Sequence, residues 1–419
     1  MAPFDAIARH SLLWLFLGNA VGLLLATLLL VPSLGPLLGP LTYGRWMTVH
    51  LNASLYGWSS IPLIGLLYLV YLPRYGENRI ATAAVSAWSA MLAFSIVGWL
   101  MGITSGKLFM EWAGPSRIAV FAGMTFLALS LWISHARRLA AEAGFPAGWT
   151  RRCSVVVKTG GLVVLSSVPV VLVLAADPSL YPPVNPDSGG ATGGSLLGST
   201  LAIILIYWMT PFLLRLPTDR AWRSFAPSLA LLVLHFGAFG LLDHGDRSHH
   251  EPVQIIALSS LALWVPLLVR HLRSFTWPAA SRGWLIAFGC WGALLVLDGI
   301  LTFLPHILEQ WKFTNALVAH VHIAMAGMVT SFNMLVLSVL CPSSFPVSRQ
   351  AFVAWQAGTV LHAGALLAAG LVEAAHPGWL FFSHPVIDTL YALRWVAGAV
   401  MLSASWFWLR HVHLRGSSA

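Results

Sequence analysis

Charged side chains are scarce in this chain of 419 residues: Asp, Glu, Lys and Arg together make up 9% of it. Soluble domains contain about 25% charged residues, so this chain has too few to cover a water-exposed globule. The shortage excludes a soluble enzyme and a nucleic-acid-binding domain, although basic residues outnumber acidic ones by 23 to 14. The basic residues are scattered between apolar blocks, where they set membrane topology rather than bind nucleic acid.

Cysteine is also scarce, with three residues at Cys153, Cys290 and Cys341. They lie far apart and form no Cys-x-x-Cys motif, which argues against a zinc site and against covalent haem attachment. Three separated cysteines cannot supply the disulfide framework of a small secreted domain either.

Apolar side chains are abundant: 58% of the residues are hydrophobic, and the mean hydropathy is +0.78. They fall in blocks of about 20 residues, the length at which an α-helix spans a bilayer. Twelve such blocks lie at 10–32, 46–71, 79–104, 116–136, 153–175, 195–214, 226–243, 252–269, 283–304, 314–340, 350–372 and 387–409. The sequence therefore predicts an all-α integral membrane protein of twelve transmembrane helices, forming one domain over residues 1–419.

Lysine and arginine predict the orientation of these helices. The two termini and the loops after even-numbered helices hold 17 basic residues, whereas the loops after odd-numbered helices hold 5. Because cytoplasmic loops are enriched in Lys and Arg, both termini are expected in the cytoplasm, with the protein in the cell inner (plasma) membrane. No small-residue cleavage site clearly follows the first block, which we interpret as a retained span rather than a signal peptide.

Sixteen histidines are unusual in such a chain, because ionisable groups inside a membrane are costly and are usually functional. A group of them shares one predicted depth, near the outer face, with a single arginine. The members of this layer are His50, His249, His250, His320, His322 and Arg394. The layer predicts the plane of a bound cofactor.

The pair His320-Val321-His322 carries the most information. Residues i and i+2 of a helix point about 200° apart, so the two imidazoles cannot bind one metal but can each bind a separate one. His50 could complete a bis-histidine iron with one of them, since neutral imidazole is the usual axial ligand of a b-type haem. Arg394 would suit haem propionates. The alternative interpretation is polar packing of the two histidines against backbone groups.

Four stretches of the sequence resemble subunit I of the haem–copper oxidase superfamily, most closely its C-type (cytochrome cbb) branch. Tyr43–Trp58 (YGRWMTVHLNASLYGW) is similar to the second helix of that family, and Gly102–Trp112 (GITSGKLFMEW) to its fourth-helix region. Thr314–Gly327 (TNALVAHVHIAMAG) resembles the tenth helix, and Tyr391–Gly398 (YALRWVAG) the last one. The resemblance runs from end to end and is weak between about 140 and 230.

The resemblance implies a subunit I-like bundle with one or two b-type haems. His50 and His322 would ligate the iron of a low-spin haem, and His320 would be the proximal ligand of a high-spin haem. Asp298 stands 22 residues before His320, where the C-type branch has an acidic residue near its proximal histidine. Arg394 would serve the propionates.

The sequence departs from the family at the copper site, which needs one histidine from the sixth helix and an adjacent pair from the seventh. Between His135 and His235 there is no histidine at all, so the sixth-helix ligand is absent and copper is doubtful. His249 and His250 could hold a distal metal, with Glu251 as a further candidate, or they could belong to an exposed polar turn. The tyrosine expected in the seventh helix is lacking as well.

Two functions remain open. The first is a respiratory b-type cytochrome, resembling cytochrome c oxidase subunit I, that passes electrons towards O₂ or NO reduction as an oxidase or nitric oxide reductase-like oxidoreductase. Its donor would be a c-type cytochrome subunit or quinol, and its small ligand O₂, NO or CO. The second is a non-catalytic haem protein, with an electron-transfer, gas-sensing or assembly role, that has lost the copper site. A third interpretation, a twelve-helix transporter, lacks evident discontinuous helices and does not explain the histidine layer.

Overall fold

The computed structural model describes residues 3–73, 79–142, 149–180, 193–218, 221–241, 251–343, 345, 347–380 and 384–416. Within these ranges every regular element is helical and there is no strand. Ten of the described helices are long and apolar enough to cross a membrane, and two shorter apolar helices accompany them, Leu197–Leu213 and Phe225–Leu241. The chain is thus an all-α, multi-pass membrane protein, as its composition predicts.

Each of the twelve predicted blocks coincides with one helix. The helices are α1 Pro3–Leu30, α2 Tyr43–Tyr71, α3 Arg79–Leu100, α4 Gly114–Glu142, α5 Trp149–Ala175, α6 Gly193–Leu213, α7 Ala221–Leu241, α8 Pro252–Arg273, α9 Ala279–Thr302, α10 Asn315–Leu340, α11 Arg349–Ala375 and α12 Pro385–Gly416. A 3₁₀ turn, Pro32–Leu38, follows α1, and a short helix, Ile307–Trp311, precedes α10.

Several helices extend beyond their apolar blocks. α4 continues six residues past the predicted end at 136, through two arginines to Glu142, and α12 runs on to Gly416 through a polar end. Hydropathy marks only the apolar part of a span, whereas the backbone hydrogen bonds continue into the polar flanks. The predicted ends are therefore wrong by several residues at these two helices.

The apolar surfaces of these helices match a lipid environment. α5 shows this most clearly, since several of its valines are more than half exposed: Val156, Val157, Val163, Val164 and Val171. A soluble protein rarely exposes a contiguous apolar strip of this kind.

Backbone contacts divide the chain into two compact units. The first comprises Met1–Pro183, Leu340–Pro346 and Leu402–Ala419, and its core contains buried tryptophans of α1 to α3. The second comprises Val184–Val339 and Val347–Met401. One cluster of its core joins leucines of α6, α7 and α8 to Trp264, and another surrounds Trp291 of α9.

Candidate functional site

His320 lies in the second turn of α10 and is held by a buried carboxylate. Its Nδ1 is 2.7 Å from Oδ2 of Asp298, which lies on α9 and is 8% exposed. A carboxylate accepts hydrogen bonds, so the imidazole donates from Nδ1 and a neutral ring keeps its lone pair on Nε2. Metal-binding histidines commonly use this carboxylate–imidazole arrangement, which orients the ring and raises its basicity.

A cavity of about 410 Å³ adjoins His320. Helices α6, α8, α9 and α10 contribute to its wall, together with the short helix before α10. The polar side chains on the wall are few, namely Thr200, Thr302, Lys312 and His320; the other lining residues are apolar. Its volume is in the range of about 300–1,000 Å³ that is usual for cofactor and ligand sites.

Gly299 keeps the space beside His320 open. A Cβ at this position would lie 3.3 Å from Cε1 of His320, a distance tighter than ordinary contact. A larger side chain would press on the imidazole and project towards the cavity that Gly299 also lines.

His322 contacts a different helix from His320, as expected for two side chains that point about 200° apart around the helix axis. Its Nδ1 donates to the carbonyl of Val318 over 2.8 Å. Its ring centroid lies 4.6 Å from that of His362 on α11, and the two planes are inclined by 44°. His362 in turn donates from Nδ1 to the carbonyl of Arg394 over 3.3 Å.

His50 lies on α2 in the first unit, against α1. Its Nδ1 donates to the carbonyl of Gly18 over 2.8 Å. Gly22, one turn further along α1, makes room for the ring: a Cβ there would be 2.8 Å from Cε1 of His50. Because a carbonyl only accepts, a neutral His50 also keeps its lone pair on Nε2.

The three predicted iron ligands therefore share one tautomer, with the proton on Nδ1. Two buried histidines outside this set use their rings differently. His235 accepts a hydrogen bond at Nδ1 from Nε1 of Trp264 over 2.9 Å. His271 binds the carbonyl of Trp208 through Nε2 over 3.0 Å. His362 and His413 also bind a carbonyl through Nδ1, so the Nδ1 donation is shared by His50, His320 and His322 without being restricted to them.

In both α2 and α10, a π-helical turn follows the predicted ligand histidines. The turn spans Ala53–Ser59 in α2 and Ile323–Val329 in α10. Each turn includes a glycine that receives a tryptophan from a neighbouring helix: a Cβ at Gly57 would be 2.6 Å from Trp14, and one at Gly327 would be 2.5 Å from Trp291. Such turns are frequent at functional sites.

Arg394 takes part in a buried polar network at the start of α10. Its Nη1 donates to Oδ1 of Asn315 over 3.4 Å. Asn315 donates to Glu373 from its backbone nitrogen over 2.7 Å and from Nδ2 over 2.5 Å. The hydroxyl of Tyr391 donates to the same carboxylate over 3.3 Å. The amide of Asn315 thus links the guanidinium of Arg394 to the carboxylate of Glu373, and these two residues are 8% and 2% exposed.

Sequence reasoning missed Glu373 and His362. Both are ionisable residues in an apolar helix, which is the signal that singled out the other histidines and could have found these two. The sequence does not show that Glu373 binds Asn315, because the two residues are 58 positions apart.

The predicted site residues that the structure describes are distributed over the two units. Asp298, His320, His322 and Arg394 lie in the second unit, and His50 lies in the first. His249 and His250, the candidates for a distal metal, lie outside the described residues. Within the part of the chain that the structure describes, no group of three or more His, Cys, Asp or Glu side chains could hold a metal ion.

The second half of α6 is packed with aromatic rings. Tyr207 on α6 is buried between Phe288 and Phe332, with ring centroids 5.0 and 4.5 Å away. Trp208 stacks on His271 at 5.6 Å. These contacts give this part of α6 a packing role.

The stretch Gly102–Trp112, which connects α3 to α4, forms a hydrogen-bonded loop. Oε2 of Glu111 accepts from the backbone nitrogens of Ser105 and Gly106 over 2.8 and 2.9 Å. Lys107 is 4% exposed and donates to the carbonyl of Ala175, and this burial lowers the pKa of its ammonium group.

Asp177 follows α5 and is partly exposed to solvent. It accepts from the hydroxyl of Ser179 over 2.7 Å and pairs with Arg117 over 2.7 Å. The Ser179 hydroxyl, followed by Arg117, lowers the pKa of the Asp177 carboxyl to about 2.

Comparison with known proteins does not assign the chain to a family. No family model matches the chain, and a search of curated proteins finds no match.

Proposed function

We propose that the chain is a membrane b-type cytochrome in which His320 is the proximal ligand of a haem. The observation that carries the proposal is the 2.7 Å contact between Nδ1 of His320 and the buried Asp298, at the wall of a cavity of about 410 Å³. A buried carboxylate that orients an imidazole at the wall of an apolar cavity is an environment typical of histidine-ligated iron.

The residues around this cavity fit a haem. Its apolar walls suit a porphyrin ring, and Gly299 leaves the imidazole uncrowded on the α9 side. Lys312 is the charged lining residue that could pair with a propionate. When bound, the haem supplies one-electron redox chemistry and an iron position open to a small gas. Asp298 keeps the imidazole in its ligating tautomer.

A second, low-spin haem would be held by His50 and His322, and Arg394 would serve its propionates. The support is that each imidazole donates from Nδ1 to a carbonyl and that each is followed by a π-helical turn. The network of Asn315 and Glu373 holds Arg394 in a buried position. A guanidinium so placed can pair with a carboxylate more favourably than in water.

The proposed activity is respiratory electron transfer towards O₂ or NO, as expected from the resemblance to subunit I of C-type oxidases. The protein would span the plasma membrane twelve times with both termini in the cytoplasm. It would contact lipid around its circumference and receive electrons from a c-type cytochrome subunit or quinol.

A non-catalytic haem protein is the second candidate, and one observation favours it. The stretch of α6 in which the family has a copper histidine contains Tyr207 and Trp208, both buried in aromatic contacts. A protein with haem but without that ligand could serve electron transfer, gas sensing or assembly.

Haem analysis of the purified protein tests the proposal. We expect one or two non-covalent b-type haems per chain, with a CO-binding component in the reduced state. His320→Ala should remove the CO-binding component and leave the low-spin band, because the two haems have separate ligands. His271→Ala removes a fully buried imidazole outside both proposed haem sites and is the control, with both components retained. A purified, folded protein without haem would refute the proposal.

A further inference from the structure

α11 docks against α10 along the segment that carries both histidines. At the start of α10, Glu373 accepts two hydrogen bonds from Asn315. Next to it the backbones touch, since a Cβ at Gly370 would be 2.0 Å from the nitrogen of Ala316. The first turn of α10 is therefore fixed in depth and rotation by α11.

His362 lies on the same stripe of α11 as these two residues. It precedes Gly370 by eight residues and Glu373 by eleven, spacings that keep side chains on one face of a helix. It is 8% exposed, its ring lies 4.6 Å from that of His322, and its Nδ1 donates to the carbonyl of Arg394 over 3.3 Å. The side chain of His362 thus contacts the ring of His322 on α10 and the backbone of Arg394 on α12.

We infer that His362 is a positioning residue that sets the ring plane of His322 and ties it to the Arg394 segment of α12. The inference rests on the proposed function. Its physical reason is that groups around an axial imidazole fix its orientation, and the orientation tunes the electronic state of the iron. The hydrogen bond from His322 to Val318 holds one edge of its ring, and the packed ring of His362 restricts rotation about the remaining side-chain bond.

Two features of His362 contribute, and they can be separated. The ring restricts His322 by contact, whereas the Nδ1 donor binds the carbonyl of Arg394. His362→Phe keeps a ring and removes the donor. His362→Asn keeps a donor near the position of Nδ1 and removes the ring. If His362 only fills space, neither variant changes the g-values or the midpoint potential of the low-spin haem.

The experiment measures the EPR g-values and the midpoint potential of the low-spin haem in the purified full chain. We expect His362→Asn to shift both, with the low-spin haem content retained, because His322 still ligates but is no longer held in one plane. His362→Phe should give a smaller shift of the potential and nearly unchanged g-values. His271→Phe, which alters a buried histidine on α8, is the control and should leave both quantities at their wild-type values.

The outcomes separate this inference from the proposed function. CO binding by the His320 haem shows that a variant is folded, and His362→Gln replaces His362→Asn if the latter does not accumulate. If His322→Ala abolishes the low-spin signal while both His362 variants keep wild-type g-values and potential, the inference is overturned and the cytochrome proposal stands. If the wild-type protein has no low-spin haem, both fail.

Discussion

At the scale of single residues, the tautomer of an imidazole decides what it can bind. His50, His320 and His322 all donate from Nδ1, two of them to carbonyls and one to a carboxylate. The carboxylate is the stronger partner, because an ionised acceptor makes a shorter hydrogen bond and pushes electron density into the ring. We therefore expect His320 to be a more electron-rich ligand than the other two.

Asp298→Asn tests this difference. The amide oxygen can still accept from Nδ1, so His320 keeps its orientation, but the negative charge beside the ring is lost. The midpoint potential of the CO-binding haem should rise, and its haem affinity should fall by about 10- to 100-fold, as is typical for partners of ligating histidines.

Asp388→Asn is the control, since Asp388 is an exposed carboxylate in the first turn of α12. Redox titration and haem quantification measure both effects. An unchanged potential in Asp298→Asn would contradict the role of the carboxylate.

At the scale of elements, the π-helical turns depend on close helix contacts. Gly327 lies within the turn of α10, where the ring of Trp291 from α9 occupies the space of a side chain. Trp291 is itself held by a hydrogen bond of 2.7 Å from Nε1 to Gln356 on α11. The tryptophan therefore cannot move aside without losing this bond.

Gly327→Ala should consequently destabilise the protein by about 1–3 kcal/mol, the usual effect of overpacking a well-filled core. Gly364→Ala on α11 is the matched control, because a Cβ at Gly364 meets nothing within 4 Å. There the gain in helix propensity, about 1 kcal/mol, makes the substitution neutral or stabilising. Thermal unfolding in detergent compares the two variants, and equal destabilisation would contradict the contact with Trp291.

At the scale of the whole molecule, the number of metal ligands separates an oxidase from a non-catalytic cytochrome. A stable copper centre beside the proposed His320 haem would need three imidazoles, and α6 contains no histidine and carries aromatic residues at Tyr207 and Trp208. His249 and His250 alone would leave open positions and weak binding.

We expect less than one copper per purified chain and little or no four-electron O₂ consumption, while CO still binds the reduced protein. Elemental analysis and an oxygen electrode measure both. One tightly held copper per chain that is lost in His249→Ala would restore the oxidase interpretation, and rapid O₂ consumption without copper would also contradict the expectation.

The sequence alone predicts much of the fold. An apolar block of about 20 residues has few ways to satisfy its backbone in lipid, and a helix is the simplest of them. The positions of all twelve blocks follow from this, and their ends do not, because the polar flanks of α4 and α12 continue the same hydrogen-bonding pattern. The divergence of His320 and His322 towards different helices likewise follows from helical spacing.

The tertiary structure decided which groups surround those histidines. Asp298 is 22 residues from His320 and Glu373 is 58 from Asn315, and no local rule pairs residues at such separations. Gly18, Gly22 and Gly370 look like ordinary small residues in apolar helices until a neighbouring helix comes within contact distance. The sequence by itself determined that this protein is a helical membrane protein with histidines inside apolar helices, because hydropathy and spacing are local properties. The packing of α9 on α10 decided the tautomer and partner of His320, and the packing of α1 on α2 decided those of His50, because these depend on contacts between distant segments.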